Sequence, residues 1–439
     1  MNLKMLSKNS KSKFPLPYGN TYIEINLPFK HLDFIYPPVS NAQESDEIKL
    51  VMEGLRKPII SNENSIDFTG KEIALSINDT TRPIPYQKIL PPLIDYLVEK
   101  GADTSKISYY IATGTHRPLS REEINAILPI RYVKNSKVIC HNCDDYQKLE
   151  IIGKTRSGTP VSINAAFLQA DIKIVTGNIE PHHFMGYSGG VKPASIGLAG
   201  RETIEKNHGM LLDPMARIGT CSSNPMRRDV EEIGKMISVD FAFNIVQNYN
   251  KTIEACIFGD PQQVMLDGIT VSRRITQISN SKKYDLVIAS PGGYPKDINL
   301  YQSQKAISNA CLFTKENGVI IVLAACIEGS GNKDFEVFLN KKKSRDELIM
   351  DFISHPFRLG PHKAYQLALQ SMHHHIILVS TLPEIFLEKL PVSHAGCFEE
   401  GLSDAIKIVG ASPEVAILPY ATHCIPAQVM DDINFHEVP

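Results

Sequence analysis

The stretch ADIKIVTGNIEPHHFMGYSGGVKP (residues 170–193) joins a short apolar, β-branched run to a cluster of small and polar residues. An apolar run of this length, followed by glycine and proline, predicts a buried strand that ends in a loop. A structural loop needs glycine and proline, but not two adjacent histidines, a tyrosine, a serine and a lysine. We therefore expect this loop to form the centre of an active site.

The same pattern recurs along the chain, and helical segments such as residues 86–101 lie between the repeats. Buried strands that alternate with helices indicate an α/β fold with mainly parallel sheets flanked by helices. Ligands bind beyond the carboxyl ends of the strands in such sheets, which is where the polar clusters fall. The other segments with this pattern are KEIALSINDTTRP, KISYYIATGTHRP, YDLVIASPGGYPKD, GVIIVLAACIEGSG, HHIILVSTLP and EVAILPYATHCIP.

A change of pattern near residue 280 predicts two domains. A helix-like segment gives way there to the polar sequence NSKK (residues 280–283), and a new strand pattern begins at Tyr284. We expect an N-terminal, cofactor-binding catalytic domain over residues 1–279. We expect a C-terminal α/β domain over residues 280–439 to contribute substrate-binding residues, with the active site in the cleft between the two.

The composition of the 439 residues is that of an ordinary globular protein, with 43% hydrophobic and 21% charged residues. The net charge of −2 gives no electrostatic reason to expect binding to nucleic acid or to an anionic membrane. The sequence contains no apolar run of the length that spans a bilayer. The basic start is not followed by the apolar run of a signal peptide. We expect a cytoplasmic location.

Cysteine and histidine clusters allow two interpretations each. Cys140 and Cys143 form a CxxC motif, which is typical of a redox pair or of half a zinc site, but no second motif with zinc-like spacing follows. We interpret them as reduced thiols near a strand end. The histidines at residues 373–375 are interpreted as a helix-to-strand turn, although adventitious metal binding there is the alternative.

Several candidate residues have ordinary structural explanations when each is taken alone. Arg82 at a helix start would pair with Asp79. His116 would be a histidine in a turn whose ring nitrogens form structural hydrogen bonds. His208 near a helix end would be stabilised by the helix dipole. Taken together, the residues make these structural explanations less convincing, because several of the clusters follow the carboxyl ends of predicted parallel strands. Familiar nucleotide-binding, serine hydrolase and zinc protease motifs do not occur.

Five motifs resemble, in order and spacing, those of the nickel-pincer lactate racemase family. They are NDTTRP (78–83), ATGTHRP (112–118), EPHHFMGYSGGVK (180–192), the pair Asn207–His208, and LYQSQKA (300–306). The resemblance extends from about Tyr18 to the segment PYATHCIP. It implies an isomerase that acts on 2-hydroxy acids as a racemase or epimerase.

The resemblance also implies a cofactor and its attachment. In that family, a nickel-pincer nucleotide is attached covalently to a lysine through a thioamide, and a histidine ligates the nickel. This places the covalent link on Lys192 and the nickel ligand on His208. It implies partner enzymes that build the cofactor and a small 2-hydroxy acid as substrate. The other implied residues are the acid/base histidines His116 and His182, the substrate-binding Arg82, Tyr301, Gln302 and Lys305, and, around the cofactor, Asp79, Ser188, Gly189 and Gly190.

The chemistry suits these residue types. A 2-hydroxy acid has a weakly acidic Cα–H, so transfer of a hydride avoids a difficult proton abstraction. Histidine moves protons near neutral pH, and the planar guanidinium of arginine matches a carboxylate. Cofactors of this kind perform the difficult step while the protein positions them.

One departure from the family pattern concerns the residues after the lysine. The family commonly has a Pro-Gly pair there, whereas this chain reads KPASIGLAG (192–200). Lactate and larger 2-hydroxy acids both remain open as substrates. Two alternative functions also remain open: a non-catalytic protein of the same fold that binds a hydroxy acid or the cofactor, and a histidine-rich zinc hydrolase.

Overall fold

The computed structural model describes residues 13–40, 42–60, 66–134, 136–280, 282–340 and 344–430. The chain divides into two compact units. The large unit comprises Val39–Thr276 with the described part of the last eleven residues, and the small unit comprises the described part of the chain up to Pro38 together with Gln277–Gln428. None of the helices in the described ranges has the length and apolar character needed to cross a bilayer.

The small unit begins with a hairpin and a short strand. Strands β1 (Lys13–Tyr18) and β2 (Thr21–Asn26) pair antiparallel, and β3 (Leu32–Phe34) follows. The segment TYIEIN, in which apolar and polar residues alternate, forms β2. Leu16 and Ile25 point from this hairpin into the core of the small unit.

The large unit alternates strands with helices, as the sequence pattern predicts. Its helices are α1 (Glu47–Arg56), α2 (Tyr86–Glu99), α3 (Arg121–Ile127), α4 (Ile130–Val133), α5 (Ala165–Leu168), α6 (Lys192–Ser195), α7 (Arg201–Gly209), α8 (Pro225–Ile237) and α9 (Pro261–Thr276). Its strands are β4 (Ile73–Asn78), β5 (Ile107–Ala112), β6 (Val138–Cys140), β7 (Leu149–Lys154), β8 (Pro160–Asn164), β9 (Ile172–Asn178), β10 (Pro181–His182), β11 (Gly186–Tyr187), β12 (Phe241–Gln247) and β13 (Ile253–Gly259).

Six strands of the large unit form one sheet in the order β13-β12-β9-β4-β5-β6. All neighbours are parallel except β12 and β13. One face of this sheet packs Ile73, Leu75 and Ile77 of β4 into the main core of the unit. The chain runs outward from β4 in both directions, so the order of strands reverses there. Ligands bind at such reversal points in open α/β sheets, which directs attention to the ends of β4, β5 and β9.

The small unit continues with strands and helices that alternate in the same way. Its remaining elements are β14 (Gln277–Ile278), β15 (Tyr284–Ala289), α10 (Leu300–Cys311), β16 (Thr314–Leu323), α11 (Lys333–Leu339), α12 (Arg345–Ile353), α13 (Pro361–His373), β17 (His375–Val379), α14 (Glu384–Leu387), β18 (Ser393–Ala395), α15 (Phe398–Val409), β19 (Val415–Leu418) and β20 (Ile425–Pro426).

The main sheet of the small unit is parallel throughout, in the order β18-β17-β16-β15-β19-β3. The apolar stretches of its central strands are buried on both faces, as parallel sheets covered by helices require. The predicted fold class, α/β with mainly parallel sheets flanked by helices, is confirmed. The units change at Gln277, and β3 joins the small unit because Leu32, Asp33 and Phe34 pair with β19.

Candidate active site

Asp79 and His116 form a hydrogen-bonded pair at the ends of adjacent strands. Asp79 follows β4 directly, and His116 lies four residues after the end of β5. The Oδ2 atom of Asp79 lies 2.7 Å from Nδ1 of His116. The carboxylate is buried, whereas the imidazole is half exposed. A histidine held by a carboxylate at one ring nitrogen has a fixed orientation and presents its other nitrogen, Nε2, for proton transfer.

The turn after β4 holds the Asp79 carboxylate in place. Its Oδ1 atom accepts hydrogen bonds from the Thr81 backbone N–H at 3.1 Å and from the Thr81 hydroxyl at 2.6 Å. Burial acts to raise the pKa of Asp79, but the hydrogen bond and charge of His116, the Thr81 hydroxyl and the charge of Arg82 hold that pKa below its ordinary value. Asp79 is therefore a carboxylate at neutral pH, as its pairing with His116 requires.

His182 lies in a small hairpin that the loop after β9 forms. Strands β10 and β11 pair through His182 and Gly186. Nδ1 of His182 accepts a hydrogen bond from the Met185 backbone N–H at 3.3 Å, so the neutral ring carries its proton on Nε2. The His183 ring stacks on that of His182, with centroids 4.7 Å apart, and the Phe184 ring contacts His182 edge-on at 4.5 Å. His182 is thus buried and held in one orientation.

The glycines of the loop are required by their surroundings. Gly189 and Gly190 both have positive φ angles, +81° and +59°. A Cβ atom at Gly190 would lie 2.4 Å from Nη2 of Arg227, and one at Gly189 would lie 2.5 Å from Ile179. Ser188, which precedes them, is buried and donates its backbone N–H to the carbonyl of Glu180. Only glycine fits this close backbone packing at both positions without strain.

Two buried side chains from distant elements support the same loop. Asn244 on β12 accepts a hydrogen bond from the Gly190 N–H at 3.0 Å. Arg227 on α8 donates to the Gly189 carbonyl at 3.1 Å and forms an ion pair with Glu231 through its Nε, at 2.8 Å. Neither Asn244 nor Arg227 appears among the residues that the sequence singled out. They hold the turn that leads into α6, where Lys192 begins the helix.

Lys192 and His208 are both buried and interact electrostatically. Lys192 is 7% exposed and His208 8% exposed. Burial, followed by the charge of Lys192, lowers the pKa of His208 to about 3, and the charge of Arg82 acts in the same direction. His208 is therefore a neutral imidazole at physiological pH. It lies in the last turn of α7, as the sequence predicts.

Arg82 lies in the same part of the large unit. Its charge affects the pKa of both Asp79 and His208, so it connects the pair at β4 and β5 to the buried lysine and histidine. The Phe184 ring lies between two of these residues. Its centroid is 5.8 Å from that of His208, and it also contacts the ring of His182. The large unit thus brings together the candidate residues at the ends of β4, β5 and β9 and those on α7.

The remaining candidates, Tyr301, Gln302 and Lys305, lie on α10 of the small unit. Asn299 caps this helix by accepting a hydrogen bond from the Gln302 backbone N–H at 3.0 Å. Tyr301 and Lys305 are one helical turn apart and therefore lie on one face of α10. All three residues are partly exposed.

The cysteines and the histidine run fall outside this arrangement. Cys140 and Cys143 are both free thiols, and Cys140 accepts a hydrogen bond from the Leu119 backbone N–H at 3.2 Å. His373 ends α13 and His375 begins β17, so the predicted helix-to-strand turn is confirmed. Across the described ranges, no three or more of the histidine, cysteine, aspartate and glutamate side chains converge in a way that would hold a metal ion.

Comparisons with known proteins cover most of the chain. Residues 18–219 match the model of the lactate racemase N-terminal domain, and residues 279–425 match that of the lactate racemase C-terminal domain. The chain is 29% identical over 413 residues to a lactate racemase of Thermoanaerobacterium thermosaccharolyticum, covering 92% of this chain and 96% of the relative. It is 30% identical over 381 residues to a lactate racemase of Lactiplantibacillus plantarum, covering 85% of this chain and 89% of the relative.

The fold agrees with these matches. The structure of the lactate racemase apoprotein from T. thermosaccharolyticum superimposes with a TM-score of 0.88 at 28% sequence identity, covering 94% of this chain and all of that one. A structure from Thermotoga maritima shares the fold, with a TM-score of 0.65 at 15% identity, over 89% of this chain and 99% of that one. The family suggested by the strand-end motifs is thereby confirmed. This chain belongs to the lactate racemase family and is an isomerase of the racemase type.

Proposed function

We propose that this protein inverts the Cα configuration of a 2-hydroxy acid, lactate or a larger analogue, with a nickel-pincer nucleotide attached to Lys192. The observation that carries this proposal is the buried pair of Lys192 and neutral His208 within the unit that also holds the Asp79–His116 pair. An amine to be modified, a neutral imidazole and a carboxylate-bound histidine are the groups that this chemistry needs.

The residues around Lys192 fit such a cofactor. Lysine is almost never buried unless its charge is compensated, because removing an ammonium group from water is costly. A thioamide link at Nζ would remove that charge, so burial of the side chain would no longer carry this cost. A neutral imidazole offers a lone pair to a metal ion, and His208 stays neutral over the physiological range. When bound, the group would accept a hydride from the substrate Cα and return it.

The two histidines would handle the proton of the substrate hydroxyl. Nδ1 of His116 faces the Asp79 carboxylate, which leaves the lone pair of Nε2 as a base. Nδ1 of His182 accepts the Met185 N–H, which leaves a proton on Nε2. The two rings therefore begin with opposite proton occupancy at Nε2. One can take the hydroxyl proton while the other can donate one, which suits a reaction that must run from either enantiomer.

Arg82 would bind the substrate carboxylate through its planar guanidinium. It is half-buried, and within the described ranges its side chain forms no hydrogen bond or ion pair, so its donors are available to an anion. Tyr301, Gln302 and Lys305 remain predicted substrate-binding residues on α10. The enzymes that build the cofactor remain predicted partners.

The test is to express the chain together with cofactor-building enzymes and to measure four properties of the purified protein. These are its intact mass, the peptide that contains Lys192, its nickel and zinc contents, and its racemisation of enantiopure lactate and of larger 2-hydroxy acids. Lys192→Arg should carry no adduct and show no racemisation. Lys206→Arg, at an exposed position on α7, should behave as the wild type.

Each outcome separates the hypotheses. An adduct on Lys192 with nickel and racemisation supports the proposal. An adduct without racemisation of any acid in the panel favours a protein that binds the cofactor or a hydroxy acid without catalysis. Zinc without an adduct favours the hydrolase alternative and contradicts the proposal.

A further inference from the structure

A buried lysine packs against the ring of Tyr301 in the small unit. Lys363 is only 2% exposed, and it lies in the first turn of α13. Its Nζ atom lies over the Tyr301 ring, 5.0 Å from the ring centroid. Lys363 was not singled out in the sequence, because the segment GPHKAYQ carries no strand-end pattern.

The position of Lys363 is fixed from several sides. The carbonyl of Lys363 accepts a hydrogen bond from Nε2 of Gln304 on α10, at 2.7 Å. Gly360, which precedes α13, has φ +86°, and a Cβ atom there would lie 2.6 Å from Asn332. The start of α13 therefore has little freedom to move relative to α10. This rigidity makes the contact between the ammonium group and the ring a defined one.

Tyr301 is held between two consecutive residues of α13. The buried His362 ring contacts it edge-on, with centroids 6.0 Å apart, while Lys363 covers its face. A ring fixed on its face and its edge can rotate little, so the direction of its hydroxyl is determined. Tyr301 itself is partly exposed, which leaves part of the side chain open to a ligand.

Packing alone does not explain a lysine at this place. A methionine of similar length would fill the same volume without the cost of burying an ammonium group. An aromatic face attracts a cation, most strongly where water is excluded. A cation on the ring also draws electron density from it, which makes the hydroxyl a stronger hydrogen-bond donor.

We propose that Lys363 is a positioning residue that orients Tyr301 and strengthens its hydrogen bond to the carboxylate of the substrate. This inference rests on the proposed function, because it takes Tyr301 as a substrate-binding residue. Lys363 acts through the tyrosine ring, and its substitution should weaken substrate binding more than it slows the chemical step.

The test compares Lys363→Met with Lys363→Arg in the cofactor-loaded protein. The methionine variant should raise KM for the hydroxy acid about tenfold, with kcat and the loading of Lys192 little changed. The arginine variant retains a cation and should recover most of the affinity. Lys407→Met is the matched control, because Lys407 is an exposed lysine paired with Asp404, and its KM should equal that of the wild type.

A double variant tests whether Lys363 acts through the ring. Lys363→Met combined with Tyr301→Leu should show the KM of Tyr301→Leu alone, since the lysine has no ring left to act on. A KM in the double variant that is raised by the product of the two single increases would overturn the inference. An unchanged KM in Lys363→Met would also overturn it. If the methionine variant does not fold, the arginine variant decides: a KM close to the wild-type value supports the inference, and one as high as in Tyr301→Leu overturns it.

The proposed function can fail separately. A loaded wild-type protein that racemises no hydroxy acid contradicts the proposed function and, with it, this inference. A wild type that racemises normally while Lys363→Met keeps its KM contradicts the role of Lys363 alone.

Discussion

The Asp79 carboxylate lies 2.7 Å from Nδ1 of His116 and connects the ends of two adjacent parallel strands. Neither residue is close to the other in sequence, and the register of β4 and β5 sets their distance. The carboxylate is buried and the imidazole is half exposed, so the carboxylate orients the ring while part of the ring remains accessible. Its two members should contribute differently to activity.

His116→Ala should lower kcat for racemisation by about 10²–10⁴-fold, the range typical of a lost general acid or base. Asp79→Asn should cause a smaller loss, because the imidazole stays in place without the carboxylate that orients it. The measurement is steady-state racemisation of a single enantiomer by protein with equal Lys192 loading. Equal losses in the two variants would contradict the division between base and orienting group.

Asp79 should also make stability depend on pH in a defined direction. Its pKa is lower in the folded protein than in the unfolded chain, where an aspartate titrates near 3.9. The stabilisation is therefore fully present above that value, and it is lost as the pH falls through the lower pKa of the folded state. Urea unfolding should show a smaller loss of stability in acid for Asp79→Asn than for the wild type. An identical pH dependence would show that the carboxylate is not stabilised by its neighbours.

Gly190→Ala should destabilise the protein by more than Gly70→Ala. Both glycines have positive φ angles, +59° and +74°, which cost an alanine about 1–2 kcal/mol. A Cβ atom at Gly70 would meet nothing within 4 Å, whereas one at Gly190 would lie 2.4 Å from buried Arg227. The difference in the free energy of unfolding isolates the close packing of the loop. Equal destabilisation in the two variants would mean that the loop at Gly190 accommodates a methyl group without steric strain.

Arg227→Met should be strongly destabilising, by about 3–5 kcal/mol, because it leaves the Glu231 carboxylate buried without its cation. Arg117→Met is the matched control. Arg117 pairs with Glu123 at 2.6 Å, but its side chain is 70% exposed, and such pairs contribute about 0–1 kcal/mol. Urea unfolding measures both. A double variant, Arg227→Met with Glu231→Leu, should recover part of the loss, and no recovery would contradict an origin in the unpaired charge.

The sequence predicts the positions of the strand-end residues for a physical reason. Asp79, His116 and His182 each follow an apolar run, and the carboxyl ends of parallel strands lie at one edge of a sheet. A local sequence pattern therefore predicts that side chains far apart in sequence lie at the same edge of the sheet. The same logic locates Tyr301 on α10, after β15.

The supporting residues could not be predicted in this way. Asn244 lies in the middle of β12, and Arg227 lies within α8, where a polar residue would ordinarily face water. Their roles depend on contacts with a loop some tens of residues earlier, which no local periodicity encodes. Lys363 is a similar case, because a lysine near a helix start is normally exposed.

The pairing of β3 with β19 has a consequence for the synthesis of the chain. Leu32 pairs with Val415, so this edge strand must wait for a partner that is synthesised several hundred residues later. At 5–20 residues per second, that interval is roughly 20–80 s on the ribosome. The large unit can complete its core within this time. The sheet of the small unit cannot be completed until β19 has been synthesised. A deletion that removes residues 32–34 would therefore remove an integral strand of the small unit, whose sheet is the later of the two to be completed.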